Sequence, residues 1–258
     1  MGLSSNIIWH QTNTEGGKAI LESKKLLCSY SLETIKWNTA VLTNAFPMIS
    51  FCDLPIADMS EYLTHNKTGL LSGKYGEVTI GFKKEFREKN KICPVWYLPN
   101  NSNFIKCLMK LRNDFVHMKN EGGDVLWNSL ASIKNIEGSL IKYDFSSYRF
   151  YDEKEIRFIP TLETLKALKI RPFLKEKEYD EYKELIKNKF GIKAAIIPEI
   201  FIEFNYSDID FILIYDDKEI KSIQKIINKE SNQIKILTYS QVAEDIIGLN
   251  HTIKSQNS

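Results

Sequence analysis

Two glutamates and an arginine near the middle of the chain have residue types and a spacing that could support chemistry. Glu153, Glu155 and Arg157 occupy alternate positions, and Ile156 and Phe158 lie between or after them. If this segment is a strand, the charged side chains lie on one face and the apolar ones on the other. Two carboxylates this close repel each other, so the pKa of one is expected to be raised. Spacing alone favours a simpler interpretation, a solvated sheet face on which the arginine neutralises the acids.

A second candidate segment opens the chain. The apolar run Ile7–Thr12 is predicted to be a strand that ends in His10-Gln11-Thr12, and an amphipathic pattern over residues 19–27 predicts a short helix after it. His10 can donate a hydrogen bond to a ribose hydroxyl or a diphosphate oxygen, and Thr12 adds a hydroxyl. Without further information, a histidine with local hydrogen-bond partners at a strand end is the simpler interpretation.

The opening strand with its histidine, the short helix and the late glutamates resemble the ADP-ribosyltransferase superfamily, in its DarT-like and RNA 2′-phosphotransferase-like branches. The resemblance implies that His10 and Thr12 hold a ribose of NAD. It also implies that Glu155 or Glu153 acts at the nicotinamide ribose. Tyr30 occupies the region where the His-Tyr-Glu branch places an aromatic ring that stacks on nicotinamide. An aromatic residue on a half-buried strand is otherwise typical of a core.

The chemistry that the resemblance implies needs a carboxylate. Breaking the bond between nicotinamide and ribose develops positive charge on the ribose, and a nearby carboxylate stabilises that charge. Glu155 fits this role, and Glu153 is placed to orient the acceptor or accept its proton, although the reverse assignment is equally compatible with the sequence. Ser50 and Asp53 bracket the end of an apolar strand. Ser50 is a further candidate for the NAD site, and Asp53 is predicted to cap a turn or form a pocket wall.

A closer resemblance covers roughly residues 6–160. Four segments, in this order, are similar to the AbiGi-type abortive-infection family of bacterial phage-resistance proteins: Phe46–Ile56, Tyr75–Phe86, Pro94–Leu98 and Glu153–Arg157. Members of this family are described as the antitoxin half of a two-gene abortive-infection locus. The two resemblances leave two functions open. One is a toxin that transfers ADP-ribose from NAD to RNA, DNA or protein. The other is a non-catalytic antitoxin that binds and silences a partner toxin.

Composition excludes several classes of function. The net charge of +2 gives no overall attraction to nucleic acid. The histidines are scattered and the cysteines show no CxxC spacing, so no metal site is predicted. We expect a cytoplasmic protein, since the chain has no secretory signal and no apolar run long enough to span a membrane. The four cysteines are expected to be reduced core thiols: Cys28, Cys52, Cys93 and Cys107.

The order of predicted elements indicates an α+β fold. Residues 1–165 are expected to form an ADP-ribosyltransferase-like mixed sheet core, and residues 166–258 an α/β extension packed on it. A helix is predicted over about residues 101–119, with its end marked by Gly122-Gly123. Two strands divided by Pro198 are predicted in the extension.

The end of the extension is predicted to be a strand–helix–strand–helix unit whose two strands pair in parallel. Its helix, Lys218–Asn228, places isoleucines on one side and most of its lysines, including Lys221 and Lys225, on others. The unit has no glycine-rich phosphate loop, so we expect it to complete a core or to contact a partner protein.

Overall fold

The computed structural model describes residues 6–56, 58–59, 76–115, 121–140, 145–227, 233–242 and 244. Within these ranges the strands are β1 Ile7–Thr12, β2 Lys25–Trp37, β3 Ala40–Cys52, β4 Val78–Lys83, β5 Cys93–Pro94, β6 Trp96–Leu98, β7 Ile133–Asn135, β8 Glu137–Leu140, β9 Phe145–Arg149, β10 Glu155–Phe158, β11 Leu174–Lys175, β12 Ile196–Glu203, β13 Ile209–Ile214 and β14 Lys235–Thr238. The α-helices are α1 Thr14–Ser23, α2 Lys84–Lys89, α3 Asn103–Phe115, α4 Glu121–Ser132, α5 Leu162–Ala167, α6 Glu176–Phe190 and α7 Ile220–Ile227. The α+β class is confirmed.

The chain divides into two compact units, each built from separated stretches. The first unit comprises residues 1–25, 51–90 and 203–258, and the second comprises residues 26–50 and 91–202. Strands β2, β3 and β12 each run across a boundary between them. A division at residue 165 into a core and an extension stays a prediction.

The first unit is organised around the strand order β1-β4-β13-β14. The strands β1 and β4 are antiparallel, as are β4 and β13, whereas β13 and β14 are parallel. The predicted parallel pair is therefore confirmed. Helix α1 begins at the cap Asn13, whose side chain accepts a hydrogen bond from the backbone N–H of Gly16 at 2.7 Å.

Trp9 is the centre of an apolar cluster in the first unit. Its side chain is fully buried, and its indole N–H donates to the carbonyl of Leu54 at 2.7 Å. Around it pack buried side chains from three other segments of this unit: Leu54, Met59, Leu213, Tyr239 and Val242. The cluster joins the N-terminal strand to elements close to the C-terminus.

The second unit is built on the hairpin of β2 and β3, which turns at Asn38 in a left-handed conformation with φ 50°. Strand β12 lies beside β2, and strands β10 and β11 pair with β3. Two further pairs complete the strand pattern, parallel β6 with β7 and antiparallel β8 with β9.

Three local predictions are wrong. Gly122 and Gly123 do not end a helix, because both lie in the first turn of α4. Pro198 does not divide two strands, since it lies inside β12. Strand β12 is at the end of the strand order beside β2, and edge strands are where proline is tolerated in sheets. Glu153 is not in a strand; it is the last residue of a 3₁₀ helix, Phe150–Glu153.

The cysteine prediction holds in part. All four cysteines are free thiols. Cys28 is buried, and burial raises the pKa of its thiol. Cys93 and Cys107 are exposed and therefore are not core residues. The apolar neighbours from which burial was predicted are themselves partly exposed, as Trp96 and Phe104 are.

Helix α7 has the predicted two-sided character. Ile223 and Ile227 are buried, whereas Lys221 and Lys225 are exposed. We expect the double substitution Lys221→Glu/Lys225→Glu to change the free energy of unfolding by no more than ~0.5 kcal/mol. Ile223→Ala should cost about 2–5 kcal/mol, because it removes a buried side chain and leaves a cavity. Urea unfolding of the two proteins checks this, and equal losses would show that the helix does not dock through its isoleucines.

Candidate functional site

Five charged side chains meet inside the second unit, and we name them the charge cluster: Glu33, Lys134, Glu153, Glu155 and Arg157. Strand β2 supplies the first, β7 the second, the 3₁₀ helix at 150–153 the third, and β10 the last two. The three glutamates and the arginine are all no more than 9% exposed. With their formal charges, the three carboxylates and two cations give this buried cluster a net charge of −1.

The Glu155 carboxylate accepts four hydrogen bonds. One oxygen, Oε1, accepts from Ser50 Oγ at 2.8 Å and from Arg157 Nε at 2.7 Å. The other, Oε2, accepts from Lys134 Nζ at 2.8 Å and from Arg157 Nη2 at 2.9 Å. Because an ionised carboxylate offers about four lone-pair positions, these donors use its whole accepting capacity.

Arg157 is the central cation of the cluster and is 1% exposed. Its guanidinium group donates hydrogen bonds to Glu155 through Nε and Nη2. Nη2 also donates to Glu33 Oε1 at 2.8 Å. The remaining nitrogen, Nη1, donates to the carbonyl of Ala131 at 2.8 Å. A guanidinium buried this deeply needs such partners, since an unpaired buried charge is very costly.

Lys134 joins the two glutamates that the sequence placed together. Its Nζ donates to Glu153 Oε2 and to Glu155 Oε2, each at 2.8 Å, and lies 4.9 Å above the ring of Phe150. Lys154, between the two glutamates, has φ 45°, in the left-handed region that non-glycine residues seldom adopt. This turn ends the 3₁₀ helix and starts β10 with both carboxylates directed at one ammonium group.

A tyrosine fixes the backbone of Glu155. The hydroxyl of Tyr97 accepts a hydrogen bond from the N–H of Glu155 at 2.8 Å, and the N–H of Val95 donates to the carbonyl of Glu155 at 3.0 Å. Burial raises the pKa of Tyr97, and the charge of Glu155 acts in the same direction. Both main-chain groups of Glu155 and its carboxylate are therefore held in place.

Burial and neighbouring charge act differently on the two glutamates that contact Arg157. Burial would raise the pKa of Glu155, but the two cations Arg157 and Lys134 hold it well below its ordinary range. Burial raises the pKa of Glu33, although it pairs with Arg157, and the negative charges of Glu155 and Glu153 act in the same direction as burial. Because the cluster holds one more carboxylate than cations, the acid with the weaker pairing is the one that is harder to ionise. Burial opposes the charged form of Lys134, yet the three glutamates keep its pKa well above normal.

These shifts predict how stability depends on pH. With its raised pKa, Glu33 contributes most below its unfolded pKa of about 4.3, and this contribution is lost as the pH rises through the folded value. Glu155 acts oppositely, because its lowered pKa contributes stability above the unfolded value that is lost as the pH falls through the folded one. We expect Glu33→Gln to flatten the decline of unfolding free energy above about pH 4.3 and to leave the acid side unchanged. Urea titrations across this range measure both slopes, and an unaltered slope would mean that Glu33 is ionised as in the unfolded chain.

The structure brings together four of the residues that the sequence singled out. Ser50, Glu153, Glu155 and Arg157 all lie in or against the charge cluster. Tyr30 lies elsewhere in the same unit. It is 4% exposed, donates its hydroxyl to the carbonyl of Arg171 at 2.6 Å, and packs edge-on against Tyr182. These contacts are those of a core tyrosine, and stacking of Tyr30 on a nicotinamide stays a prediction.

The N-terminal candidates belong to the first unit. The ring of His10 lies 5.5 Å from that of Phe51, and the carbonyl of Thr12 accepts from the N–H of Glu77 at 2.9 Å. Asp53, predicted to cap a turn or form a pocket wall, accepts from Arg87 Nη1 at 2.9 Å. Binding of NAD by His10 and Thr12 stays a prediction.

Sequence reasoning missed two members of the charge cluster and the tyrosine that supports it. Glu33 lies in an ordinary alternating strand and is 124 residues from Arg157, so its spacing gives no signal. Lys134 lies between Ile133 and Asn135 in a three-residue strand whose sequence has no apolar pattern that would mark it. Tyr97 lies in Pro94–Leu98, a segment that the sequence marks only by its place in the order of four similar segments.

Among the described residues, no group of three or more histidine, cysteine, aspartate or glutamate side chains is placed to hold a metal ion. A helix long and apolar enough to cross a membrane is likewise not found in the ranges that the structure describes.

Comparison with known proteins decides the family. A family model described as "Putative abortive phage resistance protein AbiGi, antitoxin" matches residues 22–215, well over half of the chain. The chain belongs to the AbiGi family. The abortive phage resistance protein AbiGi of Lactococcus lactis subsp. cremoris is 27% identical over 248 residues, which cover 83% of this chain and 94% of that protein.

One solved structure is also similar to the chain. It is the Thermus sp. 2.9 DarT in complex with carba-NAD⁺, at 13% identity and a TM-score of 0.33, with 92% of this chain and 97% of that chain covered. At this level the likeness adds nothing to what the AbiGi match establishes. An ADP-ribosyltransferase-like core therefore stays a prediction.

Proposed function

We propose that this AbiGi-family chain is the antitoxin of an abortive-infection pair and that it acts by binding and silencing a partner toxin without catalysis. The proposal rests on the hydrogen bonding of the Glu155 carboxylate. Its two oxygens accept four hydrogen bonds from Ser50, Lys134 and Arg157. A carboxylate that stabilises a ribose cation must have accepting capacity left for the ribose hydroxyl.

The electrostatics of the cluster support the same conclusion. Glu155 and Arg157 form a two-nitrogen ion pair inside the unit, and Lys134 bridges Glu155 to Glu153. Removing either cation from such a network leaves an uncompensated buried charge, which is strongly destabilising. The cluster is therefore suited to holding four separate segments of the second unit in one arrangement, as a protein that presents a fixed binding surface requires.

A direct binding experiment tests the proposal. The chain and the toxin encoded in the same two-gene locus are purified separately, mixed, and passed over a size-exclusion column. We expect the two proteins to elute together, and we expect Glu153→Gln that remains folded to bind as the wild type does, because Glu153 is buried and is not part of an exposed binding surface. Separate elution at protein concentrations of about 10 μM would exclude a stable complex, since interfaces of standard size bind more tightly than this.

A second candidate function is ADP-ribosyl transfer from NAD to a macromolecule, RNA, DNA or protein. One observation favours it: ionisable groups with opposed pKa shifts are concentrated in one place, and such groups gather at catalytic sites more often than elsewhere. Glu155 would then stabilise the ribose cation and Glu153 would assist the acceptor, with NAD as substrate and His10, Thr12, Tyr30 and Ser50 as its contacts. Incubation with labelled NAD and separated cellular RNA, DNA and protein tests this. Label that appears in one fraction and is lost in Glu155→Gln would establish the enzyme.

A further inference from the structure

Strand β6 presents one aromatic residue to the charge cluster and the next one to solvent. Tyr97 points inward, where its hydroxyl accepts from the N–H of Glu155. Trp96, adjacent to it, is 48% exposed, and its ring lies 5.8 Å from that of Phe104 on helix α3. A single exposed apolar residue is normal, but a tryptophan that adjoins further exposed apolar side chains forms a patch of the kind that marks an interaction surface.

Helix α3 continues this apolar surface. Phe104, Cys107 and Leu111 are spaced by three and four residues, so they share one face, and all three are exposed. Ile105 and Leu108 are buried and provide the contact of the helix with its own unit. A surface helix normally turns polar residues to water. Here both faces carry apolar side chains, and one face has no cover within the described part of the chain.

The chain segment that forms this face is mainly basic. Between residues 91 and 115 it carries one aspartate, Asp114, and four cations: Lys91, Lys106, Lys110 and Arg112. This is a local charge of +3 in a chain whose net charge is +2. Lys106 lies with its Nζ 5.1 Å over the ring of Trp37, and Lys110 is exposed. An apolar face with such a border is complementary to an apolar segment that carries carboxylates.

We propose that this basic apolar surface, made of Trp96, Phe104, Cys107, Leu111, Lys106 and Lys110, is where the partner toxin docks, through an acidic helix whose apolar residues recur every three to four positions. The inference rests on the proposed function and adds its location and chemistry. Spacing along α3 suits a second helix laid against it. Single-stranded nucleic acid suits it less, since stacking needs open rings and the two rings here contact each other, while Cys107 and Leu111 provide none.

Two double variants of the full chain test the surface. Trp96→Ala/Phe104→Ala removes its aromatic anchors, and Lys106→Glu/Lys110→Glu reverses its charge. We expect the first to weaken binding of the purified toxin about 30-fold, as loss of aromatic interface residues commonly does. The second should lower the association rate and reverse the effect of salt on it, because charges at an interface border act mainly on encounter. Leu185→Ala/Lys177→Glu, which alters an exposed leucine and an exposed lysine on α6, is the control and should bind as the wild type does.

The outcomes separate the inference from the function on which it rests. Circular-dichroism melts verify that each variant is folded, and binding is measured by calorimetry. If the wild type binds the toxin and both surface variants bind it equally well, the surface is not the docking site, although the antitoxin function stands. If the wild type does not bind the toxin, the proposed function fails and the inference fails with it. If the surface variants keep the toxin but lose a fluorescein-labelled 20-nucleotide RNA that the wild type binds, the occupant is nucleic acid and the inference is overturned.

Discussion

An Arg157→Met protein should be less stable than the wild type by about 3–5 kcal/mol, because breaking a buried ion pair leaves a buried charge without compensation. The guanidinium is 1% exposed and contacts both Glu33 and Glu155. Methionine has a similar length and fills much of the space, so the loss reports charge more than volume. Urea unfolding at neutral pH measures the difference.

An exposed ion pair on the same segment provides the control. Arg149 lies 3.5 Å from Asp152, and both side chains are more than 60% exposed. Such a pair contributes little, so Arg149→Met should change the free energy of unfolding by less than ~0.5 kcal/mol. A comparable small loss for Arg157→Met would mean that water reaches the cluster, and the account of Glu155 as a closed group would be wrong.

The second large effect is expected in the first unit, where Trp9→Ala should cost about 3–5 kcal/mol. Trp9 is fully buried, packs among side chains from separated segments, and uses its indole N–H on the carbonyl of Leu54. The substitution therefore creates a large cavity and leaves that carbonyl without its partner. Thermal unfolding followed by circular dichroism should show a clearly lower Tm.

The exposed tryptophan is the matched comparison. Trp96 is 48% exposed, so Trp96→Ala should leave the stability within ~0.5 kcal/mol of the wild type. The same result shows that Trp96 is available for binding experiments in a folded protein. Similar losses for the two tryptophans would contradict the assignment of one to a core and the other to a surface.

The sequence reveals the acids of the candidate site and not what neutralises them. Glu153 and Glu155 are recognisable because they are two acids at a spacing of two, directly before the alternating apolar residues Ile156 and Phe158. Which charges surround these acids depends on Lys134 and Glu33, which lie on other strands, at a distance along the chain. Such partners are set by the pairing of distant strands, and no local pattern records them. The prediction that Arg157 neutralises the acids holds for Glu155, whereas Glu153 is paired with Lys134, and both acids are buried and not solvated.

Elements of the fold were predictable where a local signal dominates. The parallel pairing of β13 and β14 follows from a strand–helix–strand order, and it is confirmed. Glycine and proline misled the prediction at two places. Gly122 and Gly123 are tolerated in the first turn of α4, where few backbone bonds depend on them, and Pro198 is tolerated in a terminal strand. At both places the position of the residue in the fold outweighed the usual tendency of glycine and proline to end helices and strands.

Growth of cells that carry the chain, the toxin of its locus, or both tests the antitoxin account most directly. The account predicts that the chain alone leaves growth unchanged, that the toxin alone arrests it, and that the two together restore it. Glu155→Gln, compared at matched protein levels, should also be harmless when expressed alone. Growth arrest by the wild-type chain alone, relieved by Glu155→Gln, would contradict the account.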